Sequence, residues 1–189
     1  MPDRVGALWL TSFTLDDKTD VAMDTASLIG RPVTDEDLAF VTRVWNDERV
    51  APTIGGLRTE QQLRERIERW SSHRHIHGFG ATLFHERSTD QPIGWGGLQF
   101  STLDIGECLT VGYVMAPHVW GRGYATEVAV ASVAHAFGVL GADHVYASVL
   151  STNASSRRVV VKAGLAVQCE VDHGDHVEVI YVVARRRSA

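Results

Sequence analysis

Cysteine is scarce in this chain of 189 residues: Cys108 and Cys169 stand far apart, in no spacing that chelates a metal. They read as reduced thiols in or near strands, since free cysteine is usually buried. No apolar run is long enough for a membrane-spanning helix, and no basic-then-apolar leader opens the chain. The expectation is a cytoplasmic protein with no membrane partner. Internal repeats and low-complexity tracts are absent as well. There is no excess of positive charge. The formal net charge of −5 argues against nucleic acid as a partner and suits an amine substrate without requiring one.

What is present is enough apolar residue, 44%, for one sizeable core. Length and composition predict a single domain over residues 25–189. Residues 1–24, with only scattered apolar positions, read as a loosely packed extension.

The chain is organised around residues 111–140. Val111 to Met115 is a short apolar strand stopped by Pro117. Gly121 and Gly123 follow, with Arg122 between them. Apolar residues then recur at helical spacing: Ala125, Val128, Ala129, Val133, Ala136 and Phe137. A helix N-terminus has unpaired N–H groups and partial positive charge, and glycines let a phosphate approach that backbone. Arg122 adds a charge-assisted contact. The stretch is therefore a candidate pyrophosphate cradle, against the alternative of glycines serving turn geometry alone. It is not a P-loop, lacking Lys-Ser/Thr, and not a dinucleotide fingerprint, since Thr126 stands where the third glycine belongs.

Around it, a strand is expected near 26–31. A helix follows with Thr34 and Asp37 as a capping box, then a loop over 46–56. A second helix opens at Thr59 and Gln62, with Leu63, Ile67 and Trp70 as its buried stripe. His73, His75 and His77 alternate. A shared strand face would suggest a metal, but Glu86 alone is near in sequence, and a polar helix-to-strand connection beside a substrate cleft is the preferred reading. Strands follow over 78–86, 93–100 and 107–115, where Gly94, Gly96 and Gly97 mark a bulge or close backbone approach. After the central helix come a strand over 143–150, a short helix from Asn153, and strands over 165–171 and 177–183. Val159 to Val161 speak locally against that helix. The order is α/β with a mixed sheet.

The segment GYVMAPHVWGRGYATE closely resembles the coenzyme A-binding segment of the GNAT superfamily of acyl-CoA N-acyltransferases, nearest the ribosomal-protein N-terminal acetyltransferase branch. The family pattern Gln/Arg-x-x-Gly-x-Gly/Ala reads His118 to Gly123, with His in the first place and both glycines kept. TDEDL and WNDERV, at 34–38 and 45–50, resemble that branch's N-terminal motif. NASSRRVVVKAGL, 153–165, resembles its Asn-x-x-Ser-x-x-x-x-x-Lys-x-Gly-Phe segment with Leu165 for Phe. The resemblance implies a mostly antiparallel GNAT sheet flanked by about four helices. It implies acetyl transfer from acetyl-CoA, as co-substrate, to a primary amine of a protein N-terminus or small molecule.

It also implies roles. Gly121, Arg122, Gly123, Tyr124, Ala125 and Thr126 would hold the pyrophosphate. The strand edge at Val114 and Met115 would bind pantetheine and polarise the acetyl carbonyl. Asn153 would contact the pantetheine arm. Glu107, fourteen residues before Gly121, is the favoured base, ahead of His118, Asp175 or a water chain. The family's acid tyrosine is missing near Val160 or Val161, and Ser156 is the candidate hydrogen-bond donor to the leaving sulfur. Trp120 is expected to pack beneath the cradle, and Glu127 to favour the helix dipole. Trp45, Trp70 and Trp95 line an acceptor cleft or the core, with core preferred for Trp45 and Trp70. The competing reading is a non-catalytic CoA-binding sensor or scaffold. Monomer and homodimer are both open.

Overall fold

A computed structural model describes residues 23–186. The expectation of an extension over residues 1–24 therefore lies, for 1–22, outside the described residues. By Asp24 the chain is already tied in: its carboxylate accepts from Gly30 N–H at 3.2 Å.

The strands are β1 (Leu28–Pro32), β2 (Thr82–Glu86), β3 (Gln91–Leu103), β4 (Gly106–Met115), β5 (His144–Leu150), β6 (Ala166–Asp172) and β7 (Val177–Ala184). The helices are α1 (Leu38–Trp45), α2 (Glu60–His77), α3 (Tyr124–Gly138) and α4 (Ala154–Lys162). The sheet has seven strands in the order β1-β2-β3-β4-β5-β7-β6, every pairing antiparallel except β4 with β5. Pro32 belongs to β1 rather than following it, which an outermost strand tolerates.

Local chemistry sets the helix ends. Thr59 Oγ1 accepts from Gln62 N–H at 3.2 Å and Gln62 Oε1 from Thr59 N–H at 2.9 Å. Asp37 accepts from Thr34 N–H at 2.8 Å and grips Arg31 with both oxygens at 2.6 and 2.8 Å. Burial pushes the Asp37 carboxyl up, but the Arg31 and Thr34 bonds outweigh that and hold it below its ordinary value. α2 runs on to His77, so His73, His75 and His77 lie on its last turns and not in a connection. The helix stops only where Gly78 takes φ of 76° and returns its N–H to Arg74 O at 2.8 Å. α4 forms despite its valines because Asn153 caps it and Val160 is buried against the sheet side.

Two apolar layers result. One lies under α3 and α4, with Val111, Ala129, Val133, Val145, Val160 and Tyr181. The other lies under α1 and α2, with Val41, Trp45, Leu63, Ile67, Trp70 and Trp95. Trp45 and Trp95 stack at 6.2 Å, and all three tryptophans are core, Trp95 included. The glycines of β3 mark close approach: a Cβ at Gly96 would lie 2.8 Å from Gly112 O and 3.0 Å from Val128 Cγ1. Cys108 is buried, Cys169 half-buried, and both are free thiols. No helix among the described residues is long and apolar enough to cross a membrane.

Candidate active site

The site begins where β4 and β5 part. Thr110 pairs with Tyr146, and the register between these parallel strands goes no further. Beyond Thr110 the strand keeps β3 on one side and has an open edge on the other. Ala116 N–H bonds Ile93 O on β3 at 2.8 Å. Backbone groups alternate sides along a strand, so Val114 also turns to β3, opposite Trp95, while Tyr113 and Met115 turn toward the fork. Of the two backbone positions expected there, Met115 faces it and Val114 gives way to Tyr113. Met115 O already accepts the Trp120 indole N–H at 2.8 Å. Trp120 does not pack beneath the cradle: with its indole N–H held by Met115 O, the residue stays 49% exposed.

At the top of the fork stands the glycine turn. Gly121 has φ of 81° and Gly123 φ of 87°. A Cβ at either would meet nothing within 4 Å, so the glycines are required by backbone conformation, and the space over them is open. Gly123 caps α3 without a side chain, and the amides of Tyr124, Ala125 and Thr126 have no acceptor among the described residues. Three such N–H groups at the positive end of a helix are the chemistry that suits an anion. An open cleft of about 530 Å³ adjoins it, lined by Gly123, Thr126, Val130 and Lys162 among others.

Glu86, at the end of β2, is a member of this site that sequence reasoning missed. Arg122 Nη1 lies 3.1 Å from its Oε1, and the Tyr124 hydroxyl donates to the same oxygen at 2.5 Å. The Tyr124 bond, with Thr89 and Arg122, holds the Glu86 carboxyl below its ordinary value. Glu127 accepts from Ser27 N–H at 2.7 Å and so ties α3 to the start of β1.

On the other wall, Asn153 Oδ1 accepts from Ser156 N–H at 3.0 Å and Ser155 Oγ at 2.8 Å, which orients the first turn of α4. Its Nδ2 has no partner among the described residues. Ser156 Oγ meets the Tyr113 hydroxyl at 2.9 Å, and Tyr113 also donates to Ser156 O at 3.2 Å. Burial pushes the Tyr113 phenol up to about 12, against the pull of the Ser156 bond. Tyr113 thus stays a protonated donor. No spacing rule pointed to it, since its partner lies 43 residues away.

Glu107 is exposed near the start of β4, opposite Thr102. Six residues separate it from Tyr113, about 20 Å along the strand. The fork therefore joins Tyr113, Ser156 and the cradle, and leaves Glu107 below the Thr110 pairing. His118 is exposed in a turn over 117–119, and exposed Asp175 pairs with His176 at 2.6 Å.

A sheet forked between two parallel strands, with a helix N-terminus above the gap, is the architecture of an acyl-CoA transferase. The acetyltransferase (GNAT) domain family matches residues 27–166, and the chain belongs to that family. The uncharacterized protein YkkB of Bacillus subtilis is 28% identical over 151 residues, which is 78% of this chain and 86% of that protein. Among solved structures, the acetyltransferase from Agrobacterium tumefaciens superposes with a TM-score of 0.78 at 22% identity, covering 93% of this chain and all of that one. RimL, the ribosomal L7/L12 alpha-N-protein acetyltransferase solved with coenzyme A, gives 0.69 at 13% identity over 85% of this chain and 95% of its own. The aminoglycoside acetyltransferase AAC(6′)-Ib, solved with paromomycin and acetyl-CoA, gives 0.70 at 20% over 84% and 94%. At these identities the likeness is one of fold.

Proposed function

We propose that this chain transfers an acetyl group from acetyl-CoA to a primary amine within a ternary complex. The observation that carries this is the fork: an open β4 edge leading up to three amides at the N-terminus of α3 that have no partner among the described residues. Those amides and Arg122 suit a pyrophosphate. The open cleft beside Lys162 gives room for the nucleotide end. Backbone groups of Tyr113 and Met115 face where a pantetheine arm would run, and Asn153 Nδ2 is free to donate to it. The RimL and aminoglycoside acetyltransferase structures hold coenzyme A or acetyl-CoA in the same fold, which favours this reading.

The amine nitrogen attacks the thioester carbonyl carbon as the C–S bond breaks. A strand amide facing the fork stabilises the oxyanion. Ser156, supported by the Tyr113 hydroxyl, hydrogen-bonds the departing sulfur. The amine proton leaves to water, and Glu107, outside the fork on β4, acts on it only through that water. The acceptor enters beside the 46–56 loop and α2. Its class, protein N-terminus or small amine, is left to an acceptor screen.

The test is calorimetric titration with acetyl-CoA, desulfo-CoA and NAD, then thiol release across a panel of amines. Micromolar binding of both CoA forms, none of NAD, and turnover with an amine are expected. Binding without turnover across the panel would favour a CoA sensor. Absence of binding by folded, CoA-free protein would refute both.

A further inference from the structure

The β6–β7 turn carries a cluster that this chemistry does not use. His173, His176 and Glu178 each offer a ligand atom, and those atoms lie within 4.8 Å of one another. The two imidazoles stack with centroids 4.7 Å apart and planes 19° from parallel. His176 Nδ1 lies 2.6 Å from Asp175 Oδ1 and donates its proton there. That leaves the Nε2 lone pair free, 3.7 Å from Glu178 Oε1. Glu178 is oriented in turn, because the Ser148 hydroxyl donates to its other oxygen, Oε2.

This is the order in which a metal site is built. An outer carboxylate fixes the imidazole tautomer, and an outer donor fixes the carboxylate. A separation of 3.7 Å is too long for a hydrogen bond. It is close to the spacing of two ligands on one tetrahedral ion, whose bonds are about 2.0–2.2 Å. His173 closes the third side, and its Nε2 lies 3.7 Å from Asp104 Oδ2 in the β3–β4 turn.

We propose that the β6–β7 turn binds a divalent transition-metal ion through His173, His176 Nε2 and Glu178 Oε1. Two imidazoles and a carboxylate select the zinc class over calcium or magnesium.

The test uses tag-free full chain stripped by chelator. Zinc is titrated by calorimetry and cobalt(II) by visible absorption. One ion per chain is expected. His176→Ala and Glu178→Gln should each weaken it by about tenfold or more, with the melting temperature of the metal-free protein unchanged. The helical pair His73 and His77, with ring centroids 4.4 Å apart, is the competing site. His77→Ala should leave the affinity intact. The proposal is overturned by absence of saturable uptake, or by uptake that survives Glu178→Gln and is lost in His77→Ala. If His176→Ala fails to fold, the Glu178→Gln cobalt spectrum decides. Uptake is read without acetyl-CoA, so its failure is separate from failure of the transferase reading.

Discussion

The Tyr113 hydroxyl and Ser156 Oγ lie 2.9 Å apart and join the open strand of the fork to the first turn of α4. Each makes the other useful. A phenol whose pKa is raised to about 12 stays protonated near neutrality, and when its one proton turns from Ser156 O to Ser156 Oγ the serine hydroxyl is free to point at a departing sulfur. Ser156→Ala should lower kcat by about 10²-fold while leaving the KM for acetyl-CoA within about twofold. Tyr113→Phe should lower kcat about tenfold and cost about 1 kcal/mol of stability. Steady-state kinetics with denaturant melts separates the two effects. An unchanged kcat in Ser156→Ala would remove the serine from the chemistry.

Glu86 holds Arg122 and Tyr124 before any anion arrives. Its carboxylate both occupies the cation and repels phosphate. Glu86→Gln should therefore tighten coenzyme A binding several-fold, and Arg122→Ala should weaken it about tenfold. Calorimetry at two salt concentrations checks this. Equal affinities in both variants would mean that the backbone amides alone hold the anion.

Gly121 and Gly123 have positive φ and open space around them. Gly123→Ala meets no clash, so its cost is conformational, about 1–2 kcal/mol. Part of it should appear as weaker coenzyme A binding, because the first α3 amides are re-aimed. Thermal melts with and without coenzyme A measure both parts. A variant that melts and binds like the parent would show the conformation to be incidental.

His73 is a pH-sensitive brace. Its Nε2 accepts from Phe100 N–H at 2.9 Å, so Nδ1 carries the proton and donates to Phe79 O at 3.0 Å. Burial pulls its pKa below the ordinary 6.5, and protonation would cost the Phe100 bond. Because the folded value is depressed, the unfolded chain binds the proton first as pH falls. The brace is at full strength above 6.5 and fades as pH drops through the depressed value. Denaturant midpoints at pH 7.5 and 5.5 should fall less steeply in His73→Asn than in the parent. Parallel slopes would show that His73 does not titrate with folding.

Local signals were legible in the sequence. The caps at Thr34 and Thr59, the glycine turn and the helical stripe of α3 each rest on contacts within four residues, and spacing encodes those directly. Histidine has no strong preference of its own, so residues 73–77 read locally as a connection, whereas the stop of α2 is set by a left-handed Gly78. The resemblance points to Val114 at the fork edge where Tyr113 faces it, since a strand's alternation reverses with one step of register. Trp120 matches the family pattern, yet it is half exposed and its indole N–H goes to Met115 O, a contact that depends on where the turn returns to β4.

By itself, then, the sequence determined the element order, the glycine turn and the membership of a family, because these depend on short-range spacing and backbone permission. Only the tertiary structure decided that Tyr113 meets Ser156 across 43 residues, that Arg122 is held by Glu86 across 36, and that His173 reaches Asp104 from another hairpin. Those pairs arise from how far β4 and β5 run together before parting, and from which turns the sheet then brings face to face. Both are properties of packed strands that no local pattern carries.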